Sequence, residues 1–469
     1  MKDYPMNFEE NQAMLELVAE YEQLLEQEQE IFLEEKSYFQ LIEYFEEEHQ
    51  FQRALEVVEH ALRHYAYTVG FYIKKAELLI EEEQDAQALT VLDAALVFAP
   101  ADPEIFLLRA EALAHLGLYD DALTLLDRIK HEADQDVLCD VYVCEAAVYE
   151  LMDEQERAFY ALQAALREDP RHQEALERIW LCVEATRRYE ESVRLHEEIL
   201  DIDPYSHLAW YNLGHAHAYL GNYNEAIEAY EFAYLSNEKF EYAYRDCAEL
   251  CFEIKQYRKA LHCYLELLDH TDADSDLHFC IGQCYQQLQA FDEARKHYTL
   301  ALSLDHCNDE VLFCLGECYA ENAEWKQAVR FYKRAIRLED RREEYYAALG
   351  EAYFELGEWE KAETNFKKAI KMAPDQIQYQ MQYTGFLIEM DRVEEALQTL
   401  QKAEEFALGA ELLYCRVACL FALGRRQEAF YWLGEALAED YNMHQALFEL
   451  LPSLAYDSDV LALIANHAL

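Results

Sequence analysis

Glycine and proline are scarce, with 12 and 7 in 469 residues. So few chain breakers argue against long loops, dense tight turns and a β-rich architecture, and point to helices joined by short connections. Basic residues are also sparse. Lys plus Arg total 39 against 94 Asp plus Glu, a formal net charge of -55. A charge of that size repels phosphate backbones and anionic lipid head groups, so nucleic acid and membrane surfaces are poor candidate partners. No uncharged run approaches the length that crosses a bilayer, and Met1 to Asn11 lacks the apolar centre of a secretory signal. A cytoplasmic location is the expectation. The chain has no Gly-rich phosphate loop, Gly-x-Gly-x-x-Gly, Gly-x-Ser-x-Gly or His-Glu-x-x-His. No catalysis and no cofactor are therefore expected.

Apolar side chains are plentiful. Hydrophobic residues make up 52% and aromatics 13%, enough to bury a core and to argue against disorder despite the charge. The 13 Cys are spread along the chain and read as reduced, mostly buried thiols. Four pairs lie one helix turn apart: Cys247 with Cys251, Cys280 with Cys284, Cys314 with Cys318 and Cys415 with Cys419. Three pairs recur at equivalent places in a repeat, which fits small packing side chains better than a metal site. No metal is expected.

The repeat has a period of 34. Gly282, Gly316 and Gly350 are one period apart, Gly214 lies two periods before Gly282, and Ala248 fills the slot between. An alanine follows twelve residues later at Ala226, Ala260, Ala294, Ala328 and Ala362. Seven residues further on stand Ala233, Leu267, Ala301, Ala335 and Ala369. Large rings keep step at Tyr230, Tyr264, Tyr298, Tyr332 and Phe366, so big side chains fill the space that small ones leave where two helices cross. The series extends upstream through Ala54, Ala88, Ala122, Ala158 and Ser192, and downstream through Ala396 and Ala429. Gly117, Gly221, Gly357 and Gly424 stand where left-handed helix caps fall, and Pro100, Pro170, Pro204 and Pro374 close units after their second helix.

This pattern resembles the tetratricopeptide repeat over most of the chain. The resemblance implies an all-α fold, a right-handed superhelical α-solenoid of helix-turn-helix units. Twelve units span residues 35–442, starting at Glu35, Val69, Pro103, Cys139, Gln173, His207, Glu241, Ser275, Asp309, Glu343, Ile377 and Ala410. Residues 1–34 hold an amphipathic helix from Met14 to Phe32, an acidic cap for the first unit. Residues 443–469 supply a C-terminal cap, with a helix at His444 to Leu451 and a last one capped by Asp457 or Ser458. The last helix is apolar enough to serve instead as a homodimer contact. Two departures stand out. The unit at Pro103 is two residues longer than the period, which suggests a longer connection over His131 to Asp136. Trp180 occupies a small-residue slot, which predicts looser helix packing there.

In proteins of this kind, ligand contacts come chiefly from positions two, five, six, nine and thirteen of each unit. Position nine here holds Glu43, Glu77, Glu111, Glu249, Glu317 and Glu351, and never Lys or Arg. Position thirteen adds Glu47, Glu81, Glu253, Glu321, Glu355 and Glu389. Aromatics at positions two and five are Phe39, Tyr211, Tyr242, Phe279, Phe313 and Tyr414, with Asn212 at position six. The clamp that some relatives use for chaperone tails lacks its Lys and Asn here. Carboxylates beside rings suit Lys and Arg side chains. The expected function is a protein-binding scaffold or adaptor that holds a basic or mixed basic and apolar segment in an acidic, aromatic-lined concave groove. The alternatives are a structural protein that self-assembles through its C-terminal helix, and an acidic decoy of a nucleic-acid-binding protein.

Overall fold

The computed structural model describes residues 8–26, 32–131, 134–403 and 409–467. Every regular element among them is helical, and the chain divides into two compact units, Met1–Ala243 and Tyr244–Leu469. The helices α1 (Phe8–Glu26), α2 (Glu35–Glu47), α3 (Phe51–His64), α4 (Val69–Glu81), α5 (Asp85–Ala95), α6 (Pro103–His115) and α7 (Tyr119–Lys130) open the first unit. It continues with α8 (Gln135–Leu151), α9 (Gln155–Glu168), α10 (Gln173–Thr186), α11 (Tyr189–Ile202), α12 (His207–Tyr219) and α13 (Tyr223–Ser236). The unit boundary falls within α14 (Glu241–Glu253). Next come α15 (Tyr257–His270), α16 (Ser275–Gln287), α17 (Phe291–Leu304), α18 (Asp309–Glu321), α19 (Trp325–Leu338), α20 (Glu343–Glu355) and α21 (Trp359–Met372). The second unit ends with α22 (Ile377–Glu389), α23 (Val393–Ala403), α24 (Ala410–Ala422), α25 (Arg426–Glu439), α26 (Gln445–Leu450) and α27 (Ser458–His467).

Within each unit, neighbouring helices pack as antiparallel pairs, and the pairs stack. The 34-residue register sets where the first helix of each pair begins; α24 starts one residue early at Ala410, and α8 departs most, starting one turn early at Gln135. The two extra residues of that repeat therefore go largely into a longer helix. Residues 132–133 of the expected connection lie outside the described residues.

The pairs turn by one device. Gly117, Gly221, Gly357 and Gly424 have φ between 73° and 78°. The same register position in the other pairs holds His49, Glu83, Asp153, Arg187, Lys255, Gln289, Ala323 and Asp391, all with φ between 54° and 63°. A left-handed residue there ends each first helix and lets the chain reverse. Second-helix alanines such as Ala226, Ala260, Ala294 and Ala328 are fully buried, as small residues at a crossing must be.

Trp180 loosens its own pair. α10 lies less closely against α11 than α8 does against α9 or α12 against α13. His196 and Ser192, both fully buried, stand in α11 where other pairs carry a tyrosine and an alanine. A larger ring on one helix is thus matched by a smaller one on its partner.

At the N-terminal end, α1 buries Met14, Val18 and Tyr21 against Tyr38, Leu41, Ile42 and Phe45, and Tyr21 Oη lies 2.8 Å from His60 Nδ1. Residues 27–31 lie outside the described residues. Phe32 is non-helical and exposed, so it does not continue α1. At the other end, Asp457 accepts from the backbone amides of Asp459 at 3.0 Å and Val460 at 3.3 Å, which starts α27. Val460 and Ile464 are buried against the final pair, whereas Leu461 is exposed. No helix among the described residues is long and apolar enough to cross a membrane.

Candidate protein-binding face

Successive first helices touch one another within each unit, α4 with α6 and α6 with α8, α10 with α12, and α16, α18, α20 and α22 in series. Their contacts run along one face. Arg178 of α10 meets Glu150 of α8 at 2.8 Å, Tyr219 of α12 donates to Glu184 of α10 at 2.6 Å, and Gln286 of α16 donates to Glu317 of α18 at 2.9 Å.

In the first unit, Glu43 is exposed. Glu77 pairs with Lys74 at 2.7 Å, and that ammonium also lies 3.7 Å from Glu46. Glu111 is half-buried, and burial, with the negative charges of Glu81, Glu174 and Asp85, raises its carboxyl above the ordinary range against the lowering effect of His115.

In the second unit the carboxylates are less compensated. Burial raises Glu317, and Glu321 adds repulsion against the lowering effect of Gln286. Partial burial raises Glu351, helped by Glu355 and Glu321. Burial, Asp246 and Glu253 raise Glu249 against the opposing charge of Arg245. Among the described residues no Lys or Arg forms an ion pair with Glu317, Glu321, Glu351 or Glu355. Glu363 shows the contrast. Arg392 holds it with two donors at 2.8 and 2.9 Å, and its carboxyl falls to about 2.

The aromatic candidates do more packing than lining. Phe39 stacks on Phe71 at 4.3 Å, Phe313 on Tyr345 at 4.6 Å, and Phe279 tilts against Tyr298 at 5.9 Å. Tyr211 sits among His215, Phe240 and Tyr230 at 4.4 to 5.9 Å. Tyr414 is buried and donates to the Asp440 carbonyl. Tyr242 is exposed beside Phe240. Asn212 is buried, and its amide donates to the Leu176 carbonyl at 2.7 Å, so it works inside the fold.

The Cys pairs sit in the helix packing. All 13 thiols are free and only Cys307 is exposed. Burial pushes Cys284, Cys318 and Cys419 up to about 12. No group of three or more metal-ligating side chains occurs among the described residues.

Sequence reasoning missed a second feature of this face. Trp180 stacks on His215 at 4.7 Å and tilts against Tyr219 at 5.6 Å, while Tyr219 stacks on Tyr189 at 4.9 Å. Beside them Leu181 and Leu151 are exposed at positions nine and thirteen. The available signal was the replacement of Glu by Leu at those two positions.

A family profile described as the cilia and flagella-associated protein 70 C-terminal domain matches residues 194–418, and one described as tetratricopeptide repeat matches residues 73–137. No curated protein matches the chain. Among solved structures, YrrB, titled a TPR protein with an unusual peptide-binding site, is similar at 17% identity over 39% of this chain and 95% of its own, with a TM-score of 0.35. The APC/C hetero-tetramer Cut9-Hcn1 is similar at 14% identity over 80% of this chain and 94% of that one, with a TM-score of 0.36. MamA is similar at 18% identity over 34% and 94%, with a TM-score of 0.33.

Proposed function

Because this chain belongs to the tetratricopeptide-repeat family, we propose that it is a non-catalytic protein-binding scaffold whose first-helix face holds a basic or mixed basic and apolar segment of a partner protein. The supporting observation is the uncompensated set Glu317, Glu321, Glu351 and Glu355 on α18 and α20. Burial and mutual repulsion disfavour charge at Glu317 and Glu351 in the free protein. An incoming ammonium or guanidinium relieves that repulsion and gains charge-assisted hydrogen bonds. Association is then steered by charge and weakened by salt. A cytoplasmic setting fits such a scaffold.

The test is capture of partners from native lysate at low and high salt, with the parent and with a variant carrying Glu249→Lys, Glu317→Lys and Glu351→Lys. Partners that are salt-sensitive and lost in the variant support the function. Partners held equally by both would place binding elsewhere on the chain.

A further inference from the structure

The face of the first unit changes character along its length. Positions nine and thirteen hold Glu43, Glu47, Glu77, Glu81, Glu111 and His115 on α2, α4 and α6, then Ala147, Leu151, Leu181, Ala185, His215 and Tyr219 on α8, α10 and α12. The change coincides with the break in the repeat at Trp180. The indole there packs onto the next first helix, on His215 and Tyr219, while staying near Tyr189 of α11. Tyr219 is held by stacking on Tyr189 and by its hydrogen bond to Glu184. Leu181 is 66% exposed, Tyr219 52% and Leu151 48%. Large apolar side chains this open, on the first helices of three consecutive pairs, leave apolar surface in water.

We infer that α8, α10 and α12 form an apolar docking site for large aliphatic or aromatic side chains of a partner segment whose Lys and Arg residues lie toward α4 and α6. The site rests on the function proposed above and gives the bound segment a polarity, basic at one end and apolar at the other. Charge complementarity selects this occupant. The apolar patch carries the exposed carboxylates Glu174, Glu177 and Glu184, and Glu111, the last acid of the acidic stretch, feels the charge of Glu174. A purely apolar partner would bury Glu177 and Glu184 with only the neutral donors Gln173 and Tyr219 beside them, whereas one carrying basic residues supplies a counter-charge. Arg178, the cation within the patch, is already engaged by Glu150 and Glu174.

Two synthetic peptides test the site on the full chain, one of lysines alone and one of lysines followed by leucines with a benzophenone side chain among them. The lysine–leucine peptide is expected to bind at least tenfold more tightly and to cross-link within residues 147–219. Leu181→Asp, an exposed change that spares the core, is expected to remove that advantage and leave the lysine peptide unaffected. Equal affinity of the two peptides, cross-links elsewhere, or no binding of either would overturn the site. If the lysine peptide binds in a salt-sensitive way while Leu181→Asp changes nothing, the acidic face stands and the apolar site fails. If Leu181→Asp abolishes binding that neither salt nor Glu77→Lys with Glu111→Lys affects, the apolar site stands and the acidic face fails.

Discussion

Gly282 on α16 faces the ring of Tyr298 on α17 so closely that a β-carbon at Gly282 would lie 2.5 Å from Cε1. The ring cannot retreat. It is fully buried, and its hydroxyl donates to Gln286 at 2.7 Å. Gly214 with Tyr230, Gly316 with Tyr332 and Gly350 with Phe366 repeat the arrangement.

Gly282→Ala is therefore expected to destabilise the second unit although alanine is the better helix former. Overpacking costs about 1–3 kcal/mol against a propensity gain of about 1 kcal/mol, a net loss of roughly 1 kcal/mol. Urea unfolding checks this, and Gly282→Ala with Tyr298→Leu should recover part of the loss. A stabilised Gly282→Ala would contradict the close packing.

The left-handed turn residue gives a pair of opposite predictions. A β-carbon at Gly424 would meet nothing within 4 Å, so Gly424→Ala tests the backbone alone. At its φ of 73° the change should cost about 1 kcal/mol. Ala323, with φ of 57°, bears the same strain natively, so Ala323→Gly should stabilise by about 0.5–1 kcal/mol after the entropy of glycine is subtracted. Thermal unfolding of both variants is the check.

How much of this was legible in the sequence can be seen at three places. The Gly282–Tyr298 and Gly316–Tyr332 contacts were readable because a close helix crossing demands small opposite large, and the demand recurs every 34 residues. The open aromatic face was not. Phe39, Phe313 and Tyr414 occupy ligand positions in the register, but each found a ring or a carbonyl within its own unit, and only three-dimensional packing decides that. The Trp180 cluster was half legible. Its slot was plainly wrong for a tryptophan, yet where the indole would turn depends on His215 and Tyr219, a full repeat away.

His196 gives a pH signature. It is fully buried, its Nδ1 lies 2.8 Å from the Ser192 carbonyl, and its Nε2 has no partner among the described residues. Burial lowers it to about 4 from 6.5. The unfolded chain thus takes up a proton that the folded chain refuses. The stability from this group is complete above pH 6.5 and is lost as pH falls through 4, up to about 3 kcal/mol. His196→Leu should lose less stability than the parent when acidified from neutral pH. Parallel pH profiles of the two would contradict the buried neutral imidazole.

Glu317 has the opposite sign. Its folded carboxyl is raised above 4.5, so its contribution to stability is present below pH 4.5 and is lost as pH rises through the folded value. Glu317→Gln should raise the melting temperature at pH 7, and the gain should vanish in acid, while affinity for basic segments falls. Gln retains an acceptor for Gln286, so the hydrogen bond at 2.9 Å persists. Calorimetric melting at both pH values checks the sign.

The most direct test is the affinity of a lysine- and arginine-rich peptide for the parent chain and for Glu317→Lys with Glu351→Lys, titrated over rising salt. An acidic first-helix face predicts tight binding at low salt, a steep loss with added salt, and weak binding to the variant with little salt dependence. Equal affinities and equal salt slopes for the two proteins would contradict it.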